Sequence, residues 1–274
     1  MQSKQDFTLP KRLAKAYERA ITGHITRVLP PKTPEQTFDQ WIDAIARKSQ
    51  EYDAQEATEH LAGSMVRWVN SLNSRSWRAA ANKATKSRLL HGLLQQEMQG
   101  PVGARVHTLV RENAQYISSL PRDAAEQLNR EILRASQNGA RPETIGRMAR
   151  KRFPELLRSR INLIARTETA KASAALTQAR CNYLNLPCYL WSTSEDARVR
   201  QSHRALDNVV VFWDDPPATD PNLGYGHAGE FPNCRCTSIV ILSLDDIKFP
   251  RRVYRRGAIT VMTKPQFKGL LNAA

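Results

Sequence analysis

From its start to about residue 155 the chain is built from Ala, Leu, Gln, Arg and Glu, with few β-branched runs and sparse Gly and Pro. Such a stretch favours helices and gives a sheet little to work with. Beyond Pro187 the texture changes, and Cys188 to Trp191, Val209 to Trp213 and Thr237 to Leu242 read as short strands. The expected fold is therefore α+β. A mainly helical N-terminal region (1–154) precedes a small mixed α+β module with a short sheet (155–247), and a basic tail (248–274) follows.

Local signals refine the helices. In LPPKTPEQ, Thr33 can cap, Pro34 suits the first helical position and Gln36 sits where a capping box needs it. The helix from about 35 to 60 then places Phe38, Trp41, Ile42, Ile45 and Ala46 on one face. Trp68 and Trp77 read as core anchors. After a break at MQGPVG (98–103), Ser119, ahead of Pro121, starts a helix ending at Asn138-Gly139. Arg141-Pro142-Glu143 opens a short helix, and 155–184 forms another whose later turns carry small residues, so a second element can approach closely there.

Lys and Arg outnumber Asp and Glu by 41 to 26, a formal charge of +15 with a pI near 10.0. That balance predicts attraction to a polyanion, with nucleic acid the first candidate and an acidic protein surface the second. The charge concentrates at 139–160, which includes Arg150, Lys151 and Arg152, and in KFPRRVYRR, where Arg251, Arg252, Arg255 and Arg256 surround Tyr254. These residues suit contacts with DNA phosphates that ignore sequence. No apolar stretch approaches membrane-spanning length, and MQSKQDFTLPKR lacks the apolar centre of a signal peptide. The protein is thus expected to be made in a reducing cytoplasm, where four cysteines, at 181, 188, 234 and 236, argue against a disulfide framework.

Chemistry concentrates after residue 190. The loop WDDPPATDPNLGYGHAGEFPN is long and irregular, and Cys234 and Cys236 at its end suggest that something pins it. On an extended backbone the two thiols share a side, with Arg235 opposite. With His203 they supply three ligands for zinc, and His227, Asp196 or Cys188 could be the fourth. A thiol-rich core, with His203 hydrogen-bonded to Asp196 or to backbone, and a labile disulfide are the alternatives. Asp196, Arg200 and His203, spaced by four and three, share a face if their segment is helical. With Asp196 or Glu230 as acidic partner, His203 and Arg200 could cleave phosphodiesters, and a cysteine could serve as a nucleophile beside His203. No second motif-grade base and no phosphate-cradling glycine loop supports catalysis.

Three elements occur in order. They are ARTET (165–169, with Arg166, Thr167 and Glu168), W-S-T-S-x-D-x-R-V-R-x-x-H-x-x-L-D from Trp191 to Asp207, and P-N-C-R-C from Pro232, with Asn233, to Cys236. Together they resemble the phage Mu F-like minor head, or head morphogenesis, protein family. The resemblance implies a minor capsid component of a tailed-phage virion that associates with the portal during procapsid assembly and meets double-stranded DNA. Scaffold and major capsid protein would be further partners, and the location would be the head interior or the portal region. A phage nuclease or DNA-modifying enzyme using Asp196, Arg200 and His203 is the runner-up. The family's usual glycine after L-D is Asn208 here, and asparagine tolerates positive φ well enough for the turn to survive. Some relatives continue into a toxin domain; Ala274 follows the last strand too closely for one to be expected.

Overall fold

The computed structural model describes residues 7–33, 35–51, 55–82, 87–220 and 222–272. The expected role of Pro34, and those of the Phe38 and Ala46 side chains, lie outside the described residues. The chain divides into two units, one made of Lys11–Met65 and Val110–Arg166, the other of Met1–Pro10, Val66–Leu109 and Thr167–Ala274.

The first unit is helical. Helix α1 (Lys11–Val28) buries Leu13, Tyr17, Ile21, His24 and Ile25 at three-to-four spacing. Helix α2 (Phe38–Glu51) buries Ile45 and half-buries Trp41, whose ring meets Phe153 edge-on at 4.9 Å. The start of α2 corrects the capping assignment. TPEQTFDQ holds two T-x-x-Q boxes, and the helix uses the second. Thr37 Oγ1 accepts from the Gln40 N–H (3.2 Å) and Gln40 Oε1 accepts from the Thr37 N–H (2.9 Å). At the first box, Gln36 Oε1 accepts from the Thr33 N–H (3.2 Å) four residues too early.

Helices α5 (Pro101–Gln137) and α6 (Pro142–Tyr183) are longer than expected, and these two and α3 (Gln55–Asn82) run from one unit's residues into the other's. Ser119 does not begin a helix, and the short helix expected after Arg141 is the opening of α6. Pro121 and Pro154 lie inside α5 and α6. Each proline removes one backbone bond, but the apolar stripe runs on past it: Ile117, Leu120, Ala124 and Leu128 in α5, and Phe153, Leu156, Leu157 and Ile161 in α6, are all buried.

The second unit holds a five-stranded sheet in the order β5-β1-β2-β6-β7. Its strands are β1 (Cys188–Ser192), β2 (Val210–Phe212), β5 (Thr237–Val240), β6 (Arg251–Arg255) and β7 (Ala258–Met262), and a two-stranded ribbon pairs β3 (Ala218–Asp220) with β4 (Gly224–Tyr225). All neighbours in the sheet are antiparallel except β2 and β6. Alternation along the strands makes two cores. Tyr189, Trp191, Val209, Val211 and Tyr254 face Trp77 of α3, Leu94 of α4 (Ser87–Gln96) and Cys181 of α6. Cys188, Val210, Phe212 and Val253 face Phe267 of α8 (Lys264–Asn272).

Two expectations need correction here. The stretch read as a basic tail supplies β6, β7 and α8; the β6–β7 turn, Arg256-Gly257, takes positive φ at both residues (49° and 81°), as a tight hairpin requires. Trp77 is buried, but Trp68 is 38% exposed. Ala62, Val66, Val69, Asn73 and Trp77 form one buried stripe along α3, and residue 68 sits one place off it.

A network missed by sequence reading sits among the helices of this unit. Arg180, with no exposed surface, donates to both carboxylate oxygens of the buried Glu97 (2.7 Å each). The same guanidinium donates to Asn73 Oδ1 (2.6 Å) and Asn70 Oδ1 (2.7 Å). Nothing in the local pattern around Arg180 marks it, because its partners lie 83 to 110 residues away.

Candidate functional site

The segment from Trp191 to Asp207 is not one helix. Strand β1 ends at Ser192, a turn follows, and only α7 (Gln201–Ala205) is helical. The expected face of Asp196, Arg200 and His203 therefore does not form, and each residue does a separate job. Asp196 lies before α7 and takes a two-pronged ion pair from Arg235, with Nη2 to Oδ1 at 2.6 Å. Arg235 chiefly, helped by the Arg198 N–H, holds the Asp196 carboxyl down at about 2. Arg200 donates from Nη2 to the Pro232 carbonyl (3.0 Å). His203 points inward, with Trp191 edge-on at 5.4 Å and Phe231 at 5.3 Å.

His203 meets the two cysteines there. Its Nδ1 lies 3.6 Å from Cys234 Sγ and 3.4 Å from Cys236 Sγ, and the three ligand atoms all fall within 4.8 Å of one another. The thiols share a side as the alternation demanded, and Arg235 between them is exposed to reach Asp196. All three cluster residues are more than nine-tenths buried. The hydrogen bond between the thiols, more than the one to His203, draws Cys234 below its ordinary pKa, while the same bond pushes Cys236 up.

Other candidate ligands lie elsewhere. His227 Nδ1 is 3.3 Å from the Tyr189 hydroxyl, which also accepts from the Ala228 N–H (3.2 Å). Burial, above all, lowers the His227 pKa. Cys188 packs on the opposite face of the sheet, where burial pushes its thiol up to about 12. Glu230 accepts from the His227 N–H (2.6 Å) and so closes the turn beside it.

The motif residues tie the long loop down at several points. Thr167 Oγ1, on α6, accepts from the N–H of Asn233 (3.1 Å), which sits at φ 56°. Asp207 Oδ1 accepts from both the N–H and the hydroxyl of Thr193 (2.7 and 2.8 Å), and Ser202 of α7 donates to the Thr219 carbonyl of β3. Glu168 is buried and 3.4 Å from the Lys171 ammonium, while Arg166 is exposed and donates to the Asn162 carbonyl (3.2 Å). Gly229, at φ 94°, passes so close to α6 that a Cβ would lie 3.3 Å from Ala174 Cβ and 3.4 Å from the Ala170 carbonyl. The small residues of the later α6 turns thus admit the loop.

Asn208 occupies the turn after L-D at φ 59° and donates its N–H to the Trp191 carbonyl (2.9 Å). Replacing it with glycine is expected to leave thermal stability nearly unchanged. Asn208→Val is expected to cost about 1–2 kcal/mol in denaturant unfolding, the penalty of a left-handed β-carbon.

The basic residues divide into committed and free-reaching groups. Arg152 pairs with Glu131 (2.9 Å) and Glu155 (3.4 Å). Arg255 pairs with Asp214 and lies 4.6 Å over the Phe212 ring. Arg251 donates to the Lys248 and Asn208 carbonyls (3.2 and 3.4 Å), and Arg252 to that of Ala205 (2.6 Å). Arg150, Lys151 and Arg256 are exposed.

These features define a class: an α+β module in which a long loop is laced to a helix and a sheet by a buried thiol–imidazole cluster and a set of backbone-directed side chains. Residues 126–239 match the family model described as Phage Mu protein F like protein. It is also 32% identical over 139 residues to an uncharacterized protein of Haemophilus influenzae, covering 50% of this chain and 30% of that one. An uncharacterized protein of Methanocaldococcus jannaschii is 35% identical over 101 residues, 37% of this chain and 15% of that protein. The chain thus matches less than a third of the length of either curated relative. No solved structure matches it.

Proposed function

We propose that this chain is a minor head protein of a tailed bacteriophage, acting in head morphogenesis with the portal protein. The family match over 126–239 carries the reading, since it spans the Trp191–Asp207 motif and the cysteine pair whose contacts build the module. Made in the host cytoplasm, the protein would end in the virion, inside the head or at the portal, with scaffold or major capsid protein as further neighbours. No described helix is long and apolar enough to cross a membrane.

Contact with packaged double-stranded DNA is part of the proposal. The net charge of +15 favours it, and the exposed Arg150, Lys151 and Arg256 are the side chains best placed to reach phosphates. Changing all three to glutamine is expected to weaken binding equally across DNA sequences. It should also lower the salt-dependence slope by about 0.9 for each phosphate that is no longer neutralised, measured by fluorescence anisotropy over a salt series. An unchanged slope would remove these residues from any DNA surface.

Quantitative mass spectrometry of purified procapsids, mature virions and soluble lysate tests the main reading. A few copies per particle in fixed ratio to the portal supports it. Absence from both particles with abundance in the lysate defeats it and favours the enzyme reading, against which the burial of His203, Cys234 and Cys236 already weighs, because a polymer phosphodiester could not reach them.

A further inference from the structure

The buried thiol–imidazole cluster brings three metal-ligating atoms together, and its contacts suit a shared ligand better than a set of separate hydrogen bonds. A neutral imidazole offers a single acceptor nitrogen. Both sulfurs nevertheless converge on His203 Nδ1, at 3.6 and 3.4 Å, and Nε2 on the far side of the ring is buried with no hydrogen-bond partner. Only one thiol can meet that lone pair, and the other is left with its neighbouring sulfur as partner. A cation between the three atoms would serve all of them.

We propose that His203 Nδ1, Cys234 Sγ and Cys236 Sγ bind one zinc ion, which holds the loop between β2 and β5 against α7. The inference does not depend on the head-protein reading. Zinc–sulfur bonds of about 2.3 Å and zinc–nitrogen bonds near 2.0–2.1 Å set tetrahedral N···S separations at roughly 3.5–3.6 Å. The two observed separations, 3.4 and 3.6 Å, lie on either side of that value, so the ligands need hardly move. Two thiolates and an imidazole suit zinc and disfavour magnesium or calcium, which seek oxygen. Among the described residues no other His, Cys, Asp or Glu joins the group within 4.8 Å, so a water completes the tetrahedron.

Position in the chain gives the ion its purpose. His203 is separated from the cysteines by 31 and 33 positions, and the residues between them include the two-residue ribbon strand β4 and long irregular stretches. Arg200 to Pro232 and Thr167 to Asn233 fasten the outer side of the same turn. A metal bond on its inner side removes conformational freedom that a loop of this length would otherwise retain.

The test uses the full chain, purified without a histidine tag and without chelators. Elemental analysis is expected to find about one zinc per chain, released with the two thiols on acidification. Protein stripped of metal and reduced should take up one equivalent of Co²⁺, giving a thiolate-to-cobalt charge-transfer band and the intense visible bands of a tetrahedral ion. Chelator treatment should lower the melting temperature, and zinc should restore it. Cys234→Ser with Cys236→Ser is expected to lose the charge-transfer band, while His227→Ala keeps it.

If the serine variant fails to fold, the cobalt spectrum of the unaltered chain decides alone. Reduced, folded protein that takes up neither ion overturns the proposal. So does uptake without thiolate charge transfer, or a band abolished by His227→Ala in folded protein.

Discussion

Arg180→Ala is expected to destabilise the protein by about 3–5 kcal/mol, the usual cost of removing one partner from a buried ion pair. The size follows from what is left behind. Glu97 is 3% exposed and takes both of its close charge-assisted bonds from Arg180, and Asn70 and Asn73 each direct a carbonyl oxygen to the same guanidinium. Lysine would not substitute, since one ammonium cannot reproduce a planar fork that meets a carboxylate and two amides at once. A shift in the urea midpoint, with the slope preserved, measures the loss. The double variant Arg180→Met, Glu97→Leu should recover much of it, because an apolar pair leaves no charge stranded. A single variant as stable as the parent would show that water reaches this network.

Trp191→Ala is expected to cost about 3–5 kcal/mol as a large-to-small change in a packed core. Trp191 has no exposed surface, lies near-parallel to Tyr189 at 6.4 Å and stands edge-on to His203. Its loss therefore opens a cavity beside the thiol–imidazole cluster and frees the imidazole to turn. Trp68→Ala supplies the contrast and should fall within about 1 kcal/mol, as surface substitutions do. Comparing the two melting temperatures separates the packing of β1 from the generic loss of an indole. Equal effects would contradict the burial assigned to both residues.

Much of the fold could be read from the sequence where the signal was local. Strand positions at 188, 209 and 237, the helical region before them, and the common side of Cys234 and Cys236 all follow from short-range periodicity. Helix ends were less legible. Pro121 read as the opening of a helix and Pro154 as the gap between two, yet the apolar stripes on either side of them outweigh one lost backbone bond each. The β6–β7 hairpin was hidden because RRVYRR advertises charge more loudly than strand, although Val253 and Tyr254 are its buried positions.

The site was legible in composition but not in assembly. His203 and the cysteines come together as their residue types suggested, whereas Asp196 turns outward to Arg235 and His227 settles against Tyr189. Spacing along a supposed helix could not foresee the turn that parts Asp196 from His203. The Arg180 network had no sequence signature at all, since its members become neighbours only when distant helices meet.

The boundaries between the two units fall at 10/11, 65/66, 109/110 and 166/167, the last three of them inside helices. Neither unit is therefore a single contiguous stretch of the chain. A fragment begun at residue 155 would keep the cysteines and His203 but lose Trp77 and Leu94, which line the same core as the cluster. Such a fragment carries the family's motif residues and lacks the walls they pack against. Motif and folding unit are different lengths of this polypeptide, and cutting it to isolate the former dismantles the latter.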